Sequence, residues 1–244
     1  MLSIKNLSLT IDTKPLVHSV SLSCMPGSVH IIMGPNGSGK SSLVGALVGS
    51  PHIHIHSGEV EFKHENLLAL PIEKRARLGL FAAFQYPCEI PGVPLATFLF
   101  EAYRSIKKDI LSRDEFNTLL QKALHEVHLS PDFASRCLNE GFSGGEKKRL
   151  ELVQMLILQP DCIILDELDS GLDADGITCM EHVLASLKKN NPYLITIIIT
   201  HYAHSALHMN PDFVHIMCNG RLVKTGDHSL ITHIQHQGYH EFSI

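Results

Sequence analysis

The stretch V-H-I-I-M-G-P-N-G-S-G-K-S-S, residues 29–42, decides the fold. An apolar run of strand type enters a glycine-rich loop, Gly34, Pro35, Asn36, Gly37, Ser38 and Gly39, and Lys40, Ser41 and Ser42 open an apolar segment of helical type reaching Gly49. In that setting the glycines let successive backbone N–H groups turn inward around phosphate oxygens, and the helix start adds its positive dipole end. Lys40 reaches the β- and γ-phosphate oxygens as a point charge, and the Ser41 hydroxyl is placed to bind Mg²⁺. A chance match in an unrelated glycine loop is the competing reading. The strand before the loop and the helix after it speak against that.

Further along, Cys162 to Leu165 is an apolar run ending in two carboxylates, Asp166 and Glu167. Asp166 is the candidate to hold Mg²⁺ through its water shell, and Glu167 the candidate to polarise an attacking water. The bland alternative is a strand followed by a solvated acidic turn, and D-S-G-L-D at residues 169–173 weighs against it. His201 ends the apolar strand Leu194 to Thr200, at the carboxyl edge where ligands collect in parallel sheets, and is the candidate γ-phosphate contact. Gln85 ends the expected strand 79–84, where a side chain can sense both the metal and the helical segment that follows. F-S-G-G-E-K-K-R, residues 142–149, puts Ser143, Gly144, Gly145 and Glu146 at a helix N-terminus, a ready anion site. Ser143 with Glu146 is equally a capping box, and both readings hold for the same residues.

Strands are expected at 3–11, 19–24, 29–33, 58–62, 79–84, 162–165 and 194–200, and helices at 41–49, 72–77, 96–110, 113–127, 143–158 and 177–189. Asn219-Gly220 is the two-residue turn of a closing hairpin over 213–225. Strands alternating with helices predict an α/β fold with a parallel central sheet. The helical block 86–159 reads as an inserted lobe, with 1–85 and 160–244 forming the core lobe of one 244-residue domain.

Composition sets limits. The chain is 44% hydrophobic, enough for a sizeable core, and its net charge of −5 gives phosphate-backbone binding to nucleic acid little support. The longest apolar stretch, around Tyr193 to Thr200, falls far short of the roughly 20 residues that span a bilayer. No charged n-region with an apolar stretch opens the sequence, so a soluble, cytoplasmic chain without direct membrane insertion is expected. The 6 cysteines are scattered without a C-x-x-C pair, which argues against a disulfide framework. His52, His54 and His56 alternate in H-I-H-I-H. A zinc or copper site is one reading of them; a solvated strand face or loop is the other, favoured because no Asp, Glu or Cys lies close by in sequence.

With these motifs in order, the chain resembles the ABC-type ATPases, which share the P-loop NTPase fold with an N-terminal antiparallel β-subdomain and a helical lobe. Within them it resembles the SufC family of the SUF iron–sulfur cluster assembly system. The narrower resemblance rests on F-Q-Y-P-C-E-I-P-G-V (84–93), G-F-S-G-G-E-K-K-R (141–149), L-D-E-L-D-S-G-L-D (165–173), T-H-Y (200–202) and G-D-H-S-L (226–230). Transporter ATPases usually carry Gln where Glu146 stands and Pro-Thr where Leu168-Asp169 stand. The resemblance implies ATP and Mg²⁺ as ligands, a second copy of the chain that seals each nucleotide, and SufB- and SufD-like scaffold proteins docking near Tyr86 to Phe100. Tyr86, Pro87, Ile90, Pro91, Val93 and Pro94 suit such a docking loop, and a lobe-packing loop is the alternative.

The sequence departs from the family in two respects, the first being that no Phe, Trp or Tyr precedes Phe62, so the ring commonly stacked on adenine is missing. Lys147 and Lys148 follow the signature glycines, and Lys148 is the candidate to pair with Glu167 in the isolated subunit. The competing functions are the nucleotide subunit of a membrane transporter and a nucleotide-gated scaffold with negligible turnover.

Overall fold

The computed structural model describes residues 1–12, 14–107 and 111–242. The chain opens with an antiparallel pair, β1 (Leu2–Ile11) and β2 (Lys14–Cys24). β3 (Val29–Met33) runs through the glycine loop into α1 (Lys40–Val48), and β4 (Ile53–Phe62) with the short β5 (Glu65–Asn66) completes a four-stranded sheet in the order β2-β1-β4-β5. α2 (Ile72–Arg77) leads to β6 (Leu80–Ala83). Then come β7 (Ile90–Pro94), α3 (Leu95–Ile106), α4 (Arg113–Glu126), β8 (Cys137–Leu138) and α5 (Gly144–Leu158). β9 (Cys162–Asp166), α6 (Ala174–Asn190), β10 (Ile195–Ile199), α7 (Ala203–His208), β11 (Phe213–Cys218), β12 (Arg221–Gly226) and α8 (Ser229–Gln237) follow.

These elements gather into two compact units. The first comprises residues 1–82, 161–167 and 191–244; the second comprises 83–160 and 168–190. In the first unit the six-stranded sheet runs β12-β11-β3-β10-β9-β6, with β9, β10, β3 and β11 parallel and β12 returning antiparallel. Every residue of β3, β9 and β10 is buried, the pattern of strands covered on both faces. The four-stranded sheet shows the other pattern. In β2, Val17, Val20, Leu22 and Cys24 face the core while Ser21 and Ser23 face water. A bulge keeps the β1 register: Asn6 sits at φ +49 and donates its N–H to Ser21 Oγ at 2.9 Å, so both Ile4 and Leu7 point inward.

In the second unit α5 lies at the centre. Leu150, Leu152, Val153, Met155 and Ile157 are buried around its circumference, and α3, α4 and α6 all pack on it. Burial pushes the Glu151 carboxyl of the same helix up to about 8, opposed by a hydrogen bond from Gln154 at 3.3 Å. α6 therefore groups with the helical unit, on the strength of its contact with α5.

Several boundaries differ from expectation. β4 begins at Ile53, because Ile53 and Ile55 pair with Ile11 and Leu9 of β1 while His54 and His56 face solvent. His56 Nε2 meets Thr10 Oγ1 at 3.0 Å, and among the described residues no group of three or more His, Cys, Asp or Glu is arranged to hold a metal. The helix expected over 96–110 ends at Ile106, and its last three expected residues lie outside the described ones.

At the amino edge of the central sheet, two buried histidines form a hydrogen-bonded line. Ser28 Oγ donates to Met25 O at 2.6 Å, so it must accept from His30 Nε2 at 2.8 Å. His30 Nδ1 then accepts from His215 Nε2 at 2.9 Å, and His215 Nδ1 accepts from Thr225 Oγ1 at 2.9 Å. One terminal carbonyl thus fixes both tautomers and leaves both rings neutral. Burial pushes both imidazoles down to about 4; Asp212 pulls His30 weakly upward, and His30 depresses His215 further.

These histidines set a pH dependence. An unfolded histidine titrates near 6.5, so between about pH 6.5 and 4 the unfolded chain binds more protons than the folded one. The unfolding midpoint should therefore fall as pH is lowered through that window, and the His215→Gln variant should show a shallower fall. A variant slope equal to that of the wild type would contradict this.

Candidate functional site

The site of the first unit is built by strands that end level. Ile199 of β10 stands beside Asp166 of β9 on one side and Ile32 of β3 on the other. Glu167 donates its N–H to Ile199 O at 2.9 Å and Thr200 donates to Ile32 O at 3.4 Å, so the three chains leave the sheet together. Gly34, Asp166, Glu167 and His201 consequently meet at one carboxyl edge.

The glycine loop closes over the start of α1. Gly39 is the residue before the helix, at φ +102, a conformation that side chains resist; an added Cβ would also stand 2.8 Å from Leu16 O. Behind the loop, Gly220 of the β11–β12 turn donates to Ser38 O at 2.9 Å, and Gly220 O accepts from His18 N at 2.8 Å. Lys40 is buried, and its ammonium donates to Gly34 O at 2.9 Å and Pro35 O at 3.0 Å. Burial lowers its pKa from the usual lysine value, while Glu167 and Asp166 oppose that shift. Asn36 and Gly37 are exposed at the tip, Ser41 is exposed, Ser42 is half-buried, and Ser38 Oγ is buried without a hydrogen-bond partner.

Ser41 Oγ donates to Asp166 Oδ1 at 3.2 Å. Burial raises the Asp166 carboxyl above the usual range, and the Ser41 hydrogen bond pulls it back. Glu167 is nearly buried and holds a left-handed φ of +53, a conformation that non-glycine residues keep at functional sites at a cost of about 1–3 kcal/mol. Its Oε1 lies 3.5 Å from His201 Nδ1, and the His201 ring packs on Tyr202 with centroids 4.1 Å apart. The loop thus offers a buried cation, an orphaned hydroxyl donor and a Ser–Asp oxygen pair. That set fits a polyphosphate with Mg²⁺, which takes hard oxygen ligands.

The remaining sequence-derived residues belong to the second unit. Gln85 is half-buried just past the end of β6. Ser143 caps α5: its Oγ accepts from Glu146 N at 3.3 Å, and Glu146 Oε2 accepts from Ser143 N at 2.7 Å. That backbone hydrogen bond, with a smaller contribution from the Ser143 side chain, lowers the Glu146 carboxyl below its usual range. Gly144 and Gly145 complete the first turn with open space around both. Lys147 is committed to Glu89, Nζ to Oε1 at 2.7 Å, and Lys148 is buried. In the loop before β7, Tyr86 is 82% exposed and Phe84 and Ile90 are partly exposed, while Asn139 Nδ2 holds the loop through Cys88 O at 2.7 Å.

The family model for the ABC transporter matches residues 17–170, more than half of the chain. The chain belongs to this family. It is an ABC-type ATPase, an ATP hydrolase. It is 43% identical over 243 residues to the "Probable ATP-dependent transporter SufC" of Escherichia coli, covering 98% of this chain and 97% of that one. It is 41% identical over 241 residues to a probable ABC transporter ATP-binding protein of Streptococcus pyogenes serotype M18, covering 98% of this chain and 93% of that one. Among solved structures, a dimeric post-hydrolysis ATP-binding cassette bound to ADP and Pi superposes with a TM-score of 0.81 at 20% identity. That match covers 93% of this ABC ATPase and 99% of the cassette, and it shows the shared fold. No helix among the described residues is long and apolar enough to cross a membrane.

Sequence reading overlooked what stands behind the loop. Met217 O lies 2.0 Å from where a Gly34 Cβ would be, and Gly220 bonds to Ser38, yet the only local signal was the Asn219-Gly220 turn. Replacing Gly39 with alanine should cost about 2 kcal/mol, from left-handed strain plus the clash with Leu16 O. Thermal or urea unfolding would read this as a midpoint several degrees lower, or a proportionally lower denaturant midpoint. An unchanged midpoint would refute the tight seating of the loop.

Proposed function

We propose that this ABC ATPase powers iron–sulfur cluster assembly, its ATP-driven pairing with a second copy rearranging a SufB- and SufD-like scaffold. The observation that carries the nucleotide chemistry is the convergence of Lys40, Ser41, Asp166, Glu167 and His201 on one sheet edge. The cluster-assembly assignment is supported by the 43% identity, over nearly the full length of both chains, to a relative named SufC.

In this reading the Lys40 ammonium exchanges the Gly34 and Pro35 carbonyls for β- and γ-phosphate oxygens, and the residue 34–42 backbone cradles the rest of the phosphate tail. Ser41 and Asp166, with Gln85, would hold Mg²⁺. When bound, Mg²⁺ neutralises charge on the phosphates. Glu167 accepts a hydrogen bond from the attacking water, and His201, beside it, contacts the γ-phosphate. Ser143, Gly144, Gly145 and Glu146 form the face that a second copy's nucleotide meets: the Gly144 and Gly145 N–H groups at a helix start, with the positive dipole end behind them. The Glu146 carboxylate accepts from Ser143 N–H and so holds the serine in place. Scaffold proteins dock on residues 86–100, where an exposed aromatic and several prolines make a stiff apolar loop.

The Streptococcus pyogenes relative carries a transporter name, so a membrane-transporter partner is the second reading. Mass spectrometry of the native complex separates the two: β-rich scaffold proteins support cluster assembly, and integral membrane proteins overturn it. For the chemistry, Glu167→Gln should lower hydrolysis at least about 100-fold while leaving ATP binding intact. Light scattering should then show the ATP-loaded variant at twice the monomer mass, and adding Ser143→Arg should return it to monomer. A Glu167→Gln chain that stays monomeric at saturating ATP would overturn the pairing mechanism.

A further inference from the structure

The turn that delivers Ser143 to the start of α5 has little main-chain bonding of its own. Between β8 and α5, Asn139 and Gly141 both hold left-handed φ, +61 and +68. The main-chain bonds of the turn are long: Glu140 N to Cys137 O at 3.3 Å and Phe142 N to Asn139 O at 3.4 Å. A segment with so few backbone bonds keeps its shape through its side chains. On one side it is tied to the loop before β7, where Asn139 Nδ2 donates to Cys88 O at 2.7 Å and Lys147 Nζ meets Glu89 Oε1 at 2.7 Å. On the other side it is held by Arg136.

The Arg136 guanidinium carbon lies 4.5 Å from the centre of the Phe133 ring and 4.3 Å from that of Phe142. The two rings meet edge to face, with centres 4.8 Å apart and planes at 61°. Both phenylalanines are buried and Arg136 is half-buried. A flat, delocalised cation suits the corner between two rings, because it can lie against both at once. The main chain of Arg136 is fixed in turn. It donates its N–H to Phe133 O at 3.2 Å, and its carbonyl accepts from the N–H of Leu95, the first residue of α3, at 2.9 Å. Phe142 stands immediately before Ser143, so its buried ring anchors the turn next to the helix start, and Arg136 is stacked on that anchor.

We infer that Arg136 is a positioning residue for ATP-driven pairing, its guanidinium clamping Phe142 beside Phe133 so that Ser143, Gly144 and Gly145 are set before a second copy's nucleotide meets them. This rests on the pairing reading of the α5 start. A turn that must be ordered on association weakens the association by that ordering cost. An assembly of two copies uses the turn twice, so the cost enters twice. The phosphate loop belongs to the first unit, and the chain's own ATP binding does not draw on the clamp.

The test uses the full chain in the Glu167→Gln background at saturating ATP and Mg²⁺, with the pairing constant read by sedimentation equilibrium. Arg136→Met keeps an apolar stem and removes the flat cation; it should weaken pairing about 10-fold, the scale of a few lost cation–ring contacts. The ATP affinity of the dilute, monomeric chain should stay within about 2-fold. Hydrogen exchange in the nucleotide-free chain should speed at residues 139–143 and stay unchanged in the four-stranded sheet. Arg136→Lys keeps the charge but cannot lie flat against both rings, so it should weaken pairing nearly as much; full pairing in this variant would show that charge alone acts, and would overturn the clamp. In a double-mutant cycle with Phe133→Leu, the two losses together should be smaller than their sum, because both substitutions break the same contact. Strictly additive losses would overturn the inference, as would wild-type pairing in Arg136→Met, even with a lowered unfolding midpoint. Failure of the Glu167→Gln chain to pair with Arg136 intact would instead overturn the pairing reading on which the inference rests.

Discussion

The structure depends on holding one ammonium where water is scarce. Lys40 is buried at the carboxyl edge of the parallel sheet, and its own loop supplies the two carbonyls that make this tolerable. Burying a charge is expensive unless it is hydrogen-bonded and matched by opposite charge. Asp166 and Glu167 supply that match from the neighbouring strand end. Three parallel strands must end level for this to work, and the register of β10 with β3 and β9 provides it. The same constraint explains why β3, β9 and β10 are buried along their whole length: a charged edge needs a dry, rigid sheet behind it.

What the loop offers chemically follows from incomplete satisfaction. Carbonyl partners hold the ammonium in place without neutralising it, which leaves it able to donate a charge-assisted hydrogen bond to an anionic oxygen. Ser41 Oγ donates to Asp166 Oδ1, which sets two hard oxygens side by side, the ligand type that divalent cations such as Mg²⁺ take. Glu167 holds an unfavourable backbone conformation beside His201, the kind of local strain a fold keeps where a side chain has to be aimed. In the second unit, α5 starts at a capping box formed by Ser143 and Glu146.

Much of this was legible in the sequence, for local reasons. The strand-loop-helix over 29–48, the apolar run into Asp166-Glu167, the capping box at Ser143 and the Asn-Gly turn all write their geometry within a few residues, and the parallel sheet and the ABC ATPase family followed from their order. α7 and α8 were not foreseen: α7 is 6 residues long, and α8 buries only Ile231 and Ile234. Among the described residues, β7 and β8 pair only with each other, through a short irregular register in the helical unit that no local pattern announces. The His30–His215 line joins residues 185 apart, and the wall behind Gly34 comes from Met217 of β11. Contacts of that kind are tertiary, and they decide how firmly the site is set.

The most direct measurement is calorimetric titration of Lys40→Ala with ATP and Mg²⁺, alongside its circular dichroism spectrum and unfolding curve. If the buried ammonium is held in readiness for phosphate, the variant keeps the wild-type spectrum and a cooperative transition yet loses at least about 100-fold in ATP affinity, the scale of charge-assisted hydrogen bonds to a desolvated cation. A folded Lys40→Ala chain that binds ATP as tightly as the wild type would contradict the account at its base.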